Sequence, residues 1–276
     1  MKRVIFIRSY RGDLAWLRFT LRALGRFAEG FDGVIVVVPW RDLPRFAAMI
    51  WRERRRIPRV RLRPTRRFPE DYIGQQCTKL HADRFTGPGC AITFLDSESI
   101  LTAPLSAGEL FEDGRPIFIC TPYAAFRKYY AEEVDPSPDG RPRGARLSDM
   151  MSWQPLSEQW LGEPVSCEFM RRLPITVHAR HLAELRRWFR ARHGVGLRKK
   201  LRRMKGRHFS EFNLLGAWLH RYRRDEYRWL DTERETPRPM PIAQYWSWGG
   251  LTPEIEAEIE GLLREPSRTE AAVREP

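Results

Sequence analysis

The sequence predicts an α/β fold, Rossmann-like, in which a mostly parallel mixed sheet is flanked by helices in a single domain. Three observations predict it. Apolar runs of strand length alternate with amphipathic stretches of helix length over the first hundred residues. The strand-like runs are almost continuously apolar, as in strands covered on both faces. Residues suited to caps and turns separate them, so the order reads strand, helix, strand, with right-handed crossovers.

Val4-Ile5-Phe6-Ile7 reads as a buried strand ending in Arg8-Ser9-Tyr10. Asp13 is placed to cap a helix with the apolar stripe Leu14, Leu17, Leu21, Leu24 and Ala28. Val34 to Val38 form a second strand, stopped by Pro39, and Asp42 can cap a helix carrying Phe46, Ala47, Ile50 and Trp51. Val60-Arg61-Leu62 is a weak third strand, residues 70–84 a helix, and residues 90–95 a fourth strand. Residues 116–120 then read as a strand, and 131–146, rich in Pro and Gly, as a loop. Residues 175–178 form a strand followed by a helix with Leu182, Leu185, Trp188 and Phe189. Ser210 can cap a helix containing Leu214, Leu215, Trp218 and Leu219, and Pro253 opens a last one with Ile255, Ile259 and Leu262. No repeat or sharp boundary divides the chain, so one domain over 1–264 and a frayed tail over 265–276 are expected.

Composition narrows the class. Of 276 residues, 42% are apolar, with 15 Phe, 10 Trp and 8 Tyr, which excludes a wholly disordered chain. The longest strongly apolar run, Val34 to Val38, is far short of the roughly 20 residues that span a bilayer. Met1-Lys2-Arg3 and the four apolar residues after it lack a secretory h-region, so a cytoplasmic protein is expected, in the host cytoplasm were the chain phage-encoded. Lys+Arg number 49 against 35 Asp+Glu, for a net charge of +14, and 43 of the cations are Arg. Such an excess suits a polyanionic partner. Cys77, Cys90, Cys120 and Cys167 show no zinc spacing and are expected to be isolated small apolar residues in a reducing compartment. The common glycine-rich phosphate loops and the serine-hydrolase elbow are absent from the sequence.

The strongest local signal is Phe94-Leu95-Asp96-Ser97-Glu98-Ser99-Ile100-Leu101, an apolar strand running into two carboxylates one residue apart. If the extended conformation persists, the period of 2 points Asp96 and Glu98 the same way, at the carboxyl end where open α/β sheets bind ligands. Two hard oxygen donors there suit Mg²⁺ or Mn²⁺, with coordination positions left for a diphosphate. Most such triplets are nevertheless solvated loop acids.

This stretch, with Thr102-Ala103-Pro104-Leu105 behind it, resembles the D-x-D motif and trailing turn of nucleotide-sugar glycosyltransferases of the GT-A fold, particularly small bacterial and phage members. Segments similar to Gln75-Gln76-Cys77-Thr78-Lys79-Leu80 and Phe209-Ser210-Glu211-Phe212-Asn213-Leu214 flank the motif in such proteins. Glu98 departs from the pattern by replacing the final Asp. The resemblance implies transfer of a sugar from a nucleotide-sugar donor, a UDP-sugar first among them, with Asp96 and Glu98 holding Mn²⁺ or Mg²⁺ against its diphosphate. It places Arg8, Ser9 and Asp13 near the nucleoside, although Asp13 is equally well a helix cap.

Helical spacing groups Gln75, Gln76 and Lys79, so that Lys79 can reach a phosphate or ribose hydroxyl, or else is simply solvated. Glu211, after Ser210 at a helix start, is the candidate general base, or only a first-turn glutamate favoured by the helix dipole. His178, at a strand end, is either a contact to the donor diphosphate or metal, or structural. His208 is a weaker candidate, and Trp246 and Trp248 can face a sugar but more commonly serve as core.

Two stretches bear on the acceptor. Residues 186–207 carry eleven Lys/Arg and no acid, and 41–67 carry eleven Arg against Asp42 and Glu53. Gly194 and Gly196 suggest a flexible loop presenting Arg198, Lys199, Lys200, Arg202, Arg203 and Lys205 to a phosphate backbone. Double-stranded DNA bearing 5-hydroxymethylpyrimidines is the expected acceptor, its base flipped from the stack for modification. Cell-surface polysaccharide synthesis, a non-catalytic nucleic-acid-binding role and a metal-dependent nuclease are the competing readings.

Overall fold

The computed structural model describes residues 1–66, 68–133, 151–170, 174–206, 208–245 and 250–264. In chain order the elements begin with β1 (Lys2–Arg8), α1 (Leu14–Phe27), β2 (Ala28–Glu29), β3 (Gly33–Pro39), α2 (Leu43–Glu53) and β4 (Val60–Thr65). There follow α3 (Asp71–Lys79), α4 (Asp83–Thr86), β5 (Cys90–Leu95), β6 (Ser99–Leu101), β7 (Leu105–Ser106), β8 (Phe111–Glu112) and β9 (Arg115–Pro122). Next come α5 (Tyr123–Glu133), α6 (Trp153–Leu161), β10 (Cys167–Glu168), β11 (Ile175–His178), α7 (Ala179–His193) and α8 (Leu197–Leu201). The chain ends in α9 (Glu211–Tyr222), β12 (Arg228–Asp231), β13 (Ile242–Gln244) and α10 (Pro253–Arg264). The expected tail over 265–276, most of the expected loop over 131–146, and Trp246 and Trp248 lie outside the described residues.

Two compact units are formed, one from Met1–Arg66, Ala91–Leu110 and Pro239–Pro276, the other from Arg67–Cys90 and Phe111–Arg238. In the first, the expected apolar runs make a sheet of order β5-β1-β3-β4, with β1, β3 and β4 parallel. Val4 to Ile7, Val34 to Val38 and Ala91 to Leu95 are buried, which explains their almost continuous apolar character, broken only by Thr93. Helix α1 adds Leu17, Phe19, Leu21 and Leu24 to this core.

The second unit is built around β9, which pairs antiparallel with β8 and β10 and parallel with β12. Helix α9 is buried from Glu211 to Leu219, the mark of a core helix rather than a surface one. Trp160 packs between Phe189 of α7 and Phe209, with ring centroids 5.1 and 5.3 Å away.

Several expectations are corrected. Asp13 and Asp42 occupy N-cap positions, but neither side chain makes a cap hydrogen bond. The helix expected over 70–84 breaks into α3 and α4. The N–H groups of His81 and Ala82 turn back to the carbonyls of Thr78 and Lys79, and the Leu80 carbonyl is taken by Arg186 Nη1 at 2.6 Å. Gly194 is a left-handed C-cap (φ 65°) ending α7, and α8 begins right after Gly196. The basic stretch is therefore two helices joined by a tight turn instead of a draping loop. Finally, Cys120 and Cys167 form a disulfide, with Cα atoms 5.6 Å apart on the antiparallel neighbours β9 and β10. Cys77 and Cys90 are free thiols, buried as expected.

Gly25 lies inside α1, where helix propensity alone would favour alanine by about 1 kcal/mol. A Cβ there would meet the Arg56 carbonyl oxygen at 2.4 Å, so the close approach of the two backbones depends on its absence. Gly25→Ala is expected to destabilise the protein by about 1–3 kcal/mol through overpacking. Urea denaturation checks this, and a raised midpoint would show that the backbones separate at no cost.

Candidate active site

In the first unit, sheet growth runs from β1 outward through β3 to β4, then returns to β5 on the other side of β1. The switch point is therefore between β1 and β5, and open α/β sheets bind ligands at the carboxyl ends there. Ser97 Oγ donates to the Arg8 carbonyl at 3.4 Å, and Thr20 Oγ1 of α1 donates to the Ser97 carbonyl at 2.6 Å. These bonds hold the two strand ends side by side. Arg8, Ser9 and Asp13 are buried at this edge, with Asp96 and Glu98 half-buried. The hydroxyl of Ser9 is buried with no hydrogen-bond partner among the described residues. Buried polar groups are almost always paired, so this one calls for an explanation such as a ligand.

The carboxylates are not aligned by a pleat. Strand β5 stops at Leu95, and Asp96 to Ser99 form a turn in which the Ser99 N–H donates to the Asp96 carbonyl at 3.3 Å. The Asp96 N–H donates to Ser99 Oγ at 3.2 Å, and that hydroxyl donates to Gln244 Oε1 of β13 at 2.7 Å. The Glu98 carbonyl accepts the Tyr245 N–H at 3.1 Å, so β13 pins the turn from outside. Two half-buried carboxylates on a fixed turn still suit a hard cation. Mg²⁺ is commonly held by one or two carboxylates, with phosphates and water completing the shell. Among the described residues, no cluster of three or more His, Cys, Asp or Glu is arranged for metal.

The second unit brings other expected residues together. Lys79, ending α3, places Nζ 3.0 Å from Glu211 Oε1 in α9, the two side chains being 5% and 3% exposed. Lys79 also lies 5.0 Å from the Phe212 ring centroid, so it is not a solvated lysine. Gln76, one turn earlier, is buried with Oε1 unpartnered among the described residues, and Gln75 is half-buried. Ser210 caps α9 as expected, its Oγ accepting the Asn213 N–H at 3.3 Å. The spacing of the segment gave no sign of the role of Asn213. Its Nδ2 donates to Ser210 Oγ at 3.1 Å and Glu168 Oε1 at 3.3 Å, while Oδ1 accepts the Phe169 N–H at 2.9 Å. Asn213 thus ties α9 to β10.

His178 ends β11 as expected and precedes α7, buried with Nδ1 unpartnered among the described residues. Burial, and then Arg180, lower its pKa. Beneath it lies a network that sequence reasoning missed. The Tyr227 hydroxyl accepts the His178 backbone N–H at 3.1 Å, leaving its proton to donate to His181 Nδ1 at 2.8 Å. His181 then carries its proton on Nε2, which donates to Glu226 at 3.2 Å. Burial pushes His181 down to about 4. His208 is exposed beside Ser152, with 3.1 Å between Nδ1 and Oγ.

Lys199, Lys200, Arg202, Arg203 and Lys205 are exposed around α8. Arg198 is half-buried, its guanidinium 5.6 Å from the Phe68 ring centroid. Arg186, the first cation of that acid-free stretch, is neutralised by Asp83 through two bonds of 2.6 Å.

No protein-family model matches the chain, and no curated protein matches it in sequence. Among solved structures, the glycosyltransferase GlyE of Streptococcus pneumoniae TIGR4 in its apo form is similar at 11% identity and a TM-score of 0.44. The alignment covers 96% of this chain and 61% of that one. The bifunctional glycosyltransferase WbbM in its apo structure aligns at 13% identity and 0.46, over 96% of this chain and 45% of its own. The chain thus spans less than two thirds of either. The 4-diphosphocytidyl-2C-methyl-D-erythritol synthase of Anaerococcus prevotii DSM 20548 aligns at 10% identity and 0.44, over 96% of both chains.

Removing one partner of a buried ion pair strands the other charge, so Lys79→Met is expected to cost about 3–5 kcal/mol. Adding Glu211→Leu should recover much of that loss in a double-mutant cycle; additive losses would mean that the pair is not coupled.

His181 is about 4 in the folded protein against an ordinary value of 6.5, and burial brings His81 to about 4 as well. Their neutral forms contribute fully above pH 6.5, and that contribution is lost as pH falls through 4, at roughly 3 kcal/mol each. Denaturation midpoints should drop across this window and drop less in His181→Asn.

Proposed function

We propose that the chain is a metal-dependent glycosyltransferase that moves a sugar from a nucleotide-sugar donor, a UDP-sugar first among candidates, to a hydroxyl acceptor. One observation carries the reading. The buried Arg8 and Ser9 and the half-buried Asp96 and Glu98 share the carboxyl edge of adjacent strands at the switch point.

Asp96 and Glu98 would hold Mn²⁺ or Mg²⁺, a Lewis acid that neutralises charge on a departing diphosphate. Arg8 supplies a permanent positive charge at the same edge, and Ser9 a hydroxyl whose bonding capacity is unspent. Asp13, buried at the same edge, is a candidate for the ribose or base. In the second unit, Lys79 fixes the orientation of Glu211 Oε1. In an inverting transfer Glu211 would act as general base, taking the proton of the acceptor hydroxyl as that oxygen displaces the nucleoside diphosphate from the anomeric carbon. Gln76 Oε1, an acceptor suited to a sugar or ribose hydroxyl, and His178 Nδ1 are buried polar atoms with no partner among the described residues.

For the acceptor we propose 5-hydroxymethylpyrimidine in duplex DNA, on the strength of the five exposed cations around α8. A transferase of cell-surface polysaccharide synthesis is the second reading. Two exposed tryptophans, Trp40 and Trp51, favour it, because a duplex has no use for them.

Incubation with Mn²⁺ and a panel of nucleotide sugars should release one nucleoside diphosphate. Asp96→Ala should abolish that release while the fold stays intact by circular dichroism, and undiminished turnover would eliminate the metal role. Glu211→Gln strands the Lys79 charge, so its kcat, expected to fall by roughly 10²–10⁴ with donor KM unchanged, is read on protein shown to be folded by circular dichroism.

If each of the five exposed cations meets a phosphate, duplex binding should weaken roughly 500-fold between 50 and 200 mM salt. A flat salt profile would remove DNA as acceptor.

A further inference from the structure

We propose that the outward face of α2 is a docking surface for an anionic lipid bilayer. The helix turns Phe46 and Met49 into the core of the first unit. On the opposite side Pro44, Ala47, Ala48 and Trp51, spaced three and four apart, form an exposed apolar stripe. Trp40, in the turn before the helix, is exposed with them. The two tryptophans are 57% and 65% accessible, a large apolar area to leave in water.

Charge surrounds the stripe. Arg41, Arg45, Arg52, Arg54, Arg55 and Arg56 are all exposed. The guanidinium of Arg54 lies 4.5 Å from the Trp51 ring centroid, and that of Arg41 lies 5.2 Å from Trp40. Against these six arginines the segment has two acids, Asp42 and Glu53. Asp42 accepts the Arg11 backbone N–H at 3.1 Å, and Glu53 is paired with Arg22 of α1 at 2.9 Å.

A bilayer interface uses both features at once, because indole rings settle among headgroups while arginines meet anionic phosphates. Duplex DNA would use only the charges, since paired bases leave an indole on a convex helix nothing to stack on. A second copy of the chain is disfavoured by six arginines facing six. The test of this surface reads no catalysis.

The full chain is sedimented with vesicles of phosphatidylcholine alone and of phosphatidylcholine with phosphatidylglycerol. It should pellet with the anionic vesicles and remain in solution with the neutral ones. Trp40→Ser with Trp51→Ser should weaken partition roughly tenfold or more. Arg45→Glu with Arg52→Glu should abolish it, and all four positions are exposed, so circular dichroism should be unchanged. The proposal is overturned if the wild type ignores anionic vesicles, or if the tryptophan variant pellets as the wild type does. It is equally overturned if the tryptophans prove necessary for duplex DNA binding in a mobility shift while vesicles are not bound.

Discussion

Sheet growth in the first unit reverses at β1, and the rest of that unit's chemistry depends on the reversal. Residues almost ninety positions apart become neighbours because β5 returns to the free side of β1. The Ser97 hydroxyl and the Arg8 carbonyl close the seam, and Thr20 braces it from α1. None of these contacts involves a carboxylate of the acidic motif. The turn that presents Asp96 and Glu98 is fixed by backbone and hydroxyl bonds.

The second unit solves a different problem, that of burying polar groups inside a core. Lys79, Glu211, Glu168, Asn213, Ser210, His178 and His181 are all sequestered. A buried ion pair is often no more stabilising than well-packed apolar residues of the same size. What such groups contribute is a single arrangement: Asn213 sets α9 against β10, and Tyr227 selects the tautomer of His181. Each bond that is satisfied makes the unsatisfied atoms of Gln76 and His178 more conspicuous.

Much of the fold was legible in the sequence, because buried strands write themselves as almost continuous apolar runs. Val4 to Ile7, Val34 to Val38 and residues 90–95 needed no tertiary knowledge, and Ser210 announced its cap chemically. Asp13 and Asp42 had the right type and position to cap, yet neither side chain bonds to its helix. The break after Lys79 was illegible because its cause, Arg186 on the Leu80 carbonyl, comes from 106 residues away. The Cys120–Cys167 bridge was hidden for the same reason, since only the pairing of β9 with β10 brings those positions together. At the candidate site the residue types could be read but their geometry could not. A pleat was assumed where a turn exists, and the pairing of Lys79 with Glu211 required knowing that α3 and α9 meet.

That bridge has a further consequence. Cys120 and Cys167 stand 47 positions apart and close a covalent ring around everything between them. A protease that cut the backbone anywhere inside the ring would sever the polypeptide without separating its halves. On a denaturing gel the nicked chain would keep its full mass until a thiol was added, and only then fall into two pieces.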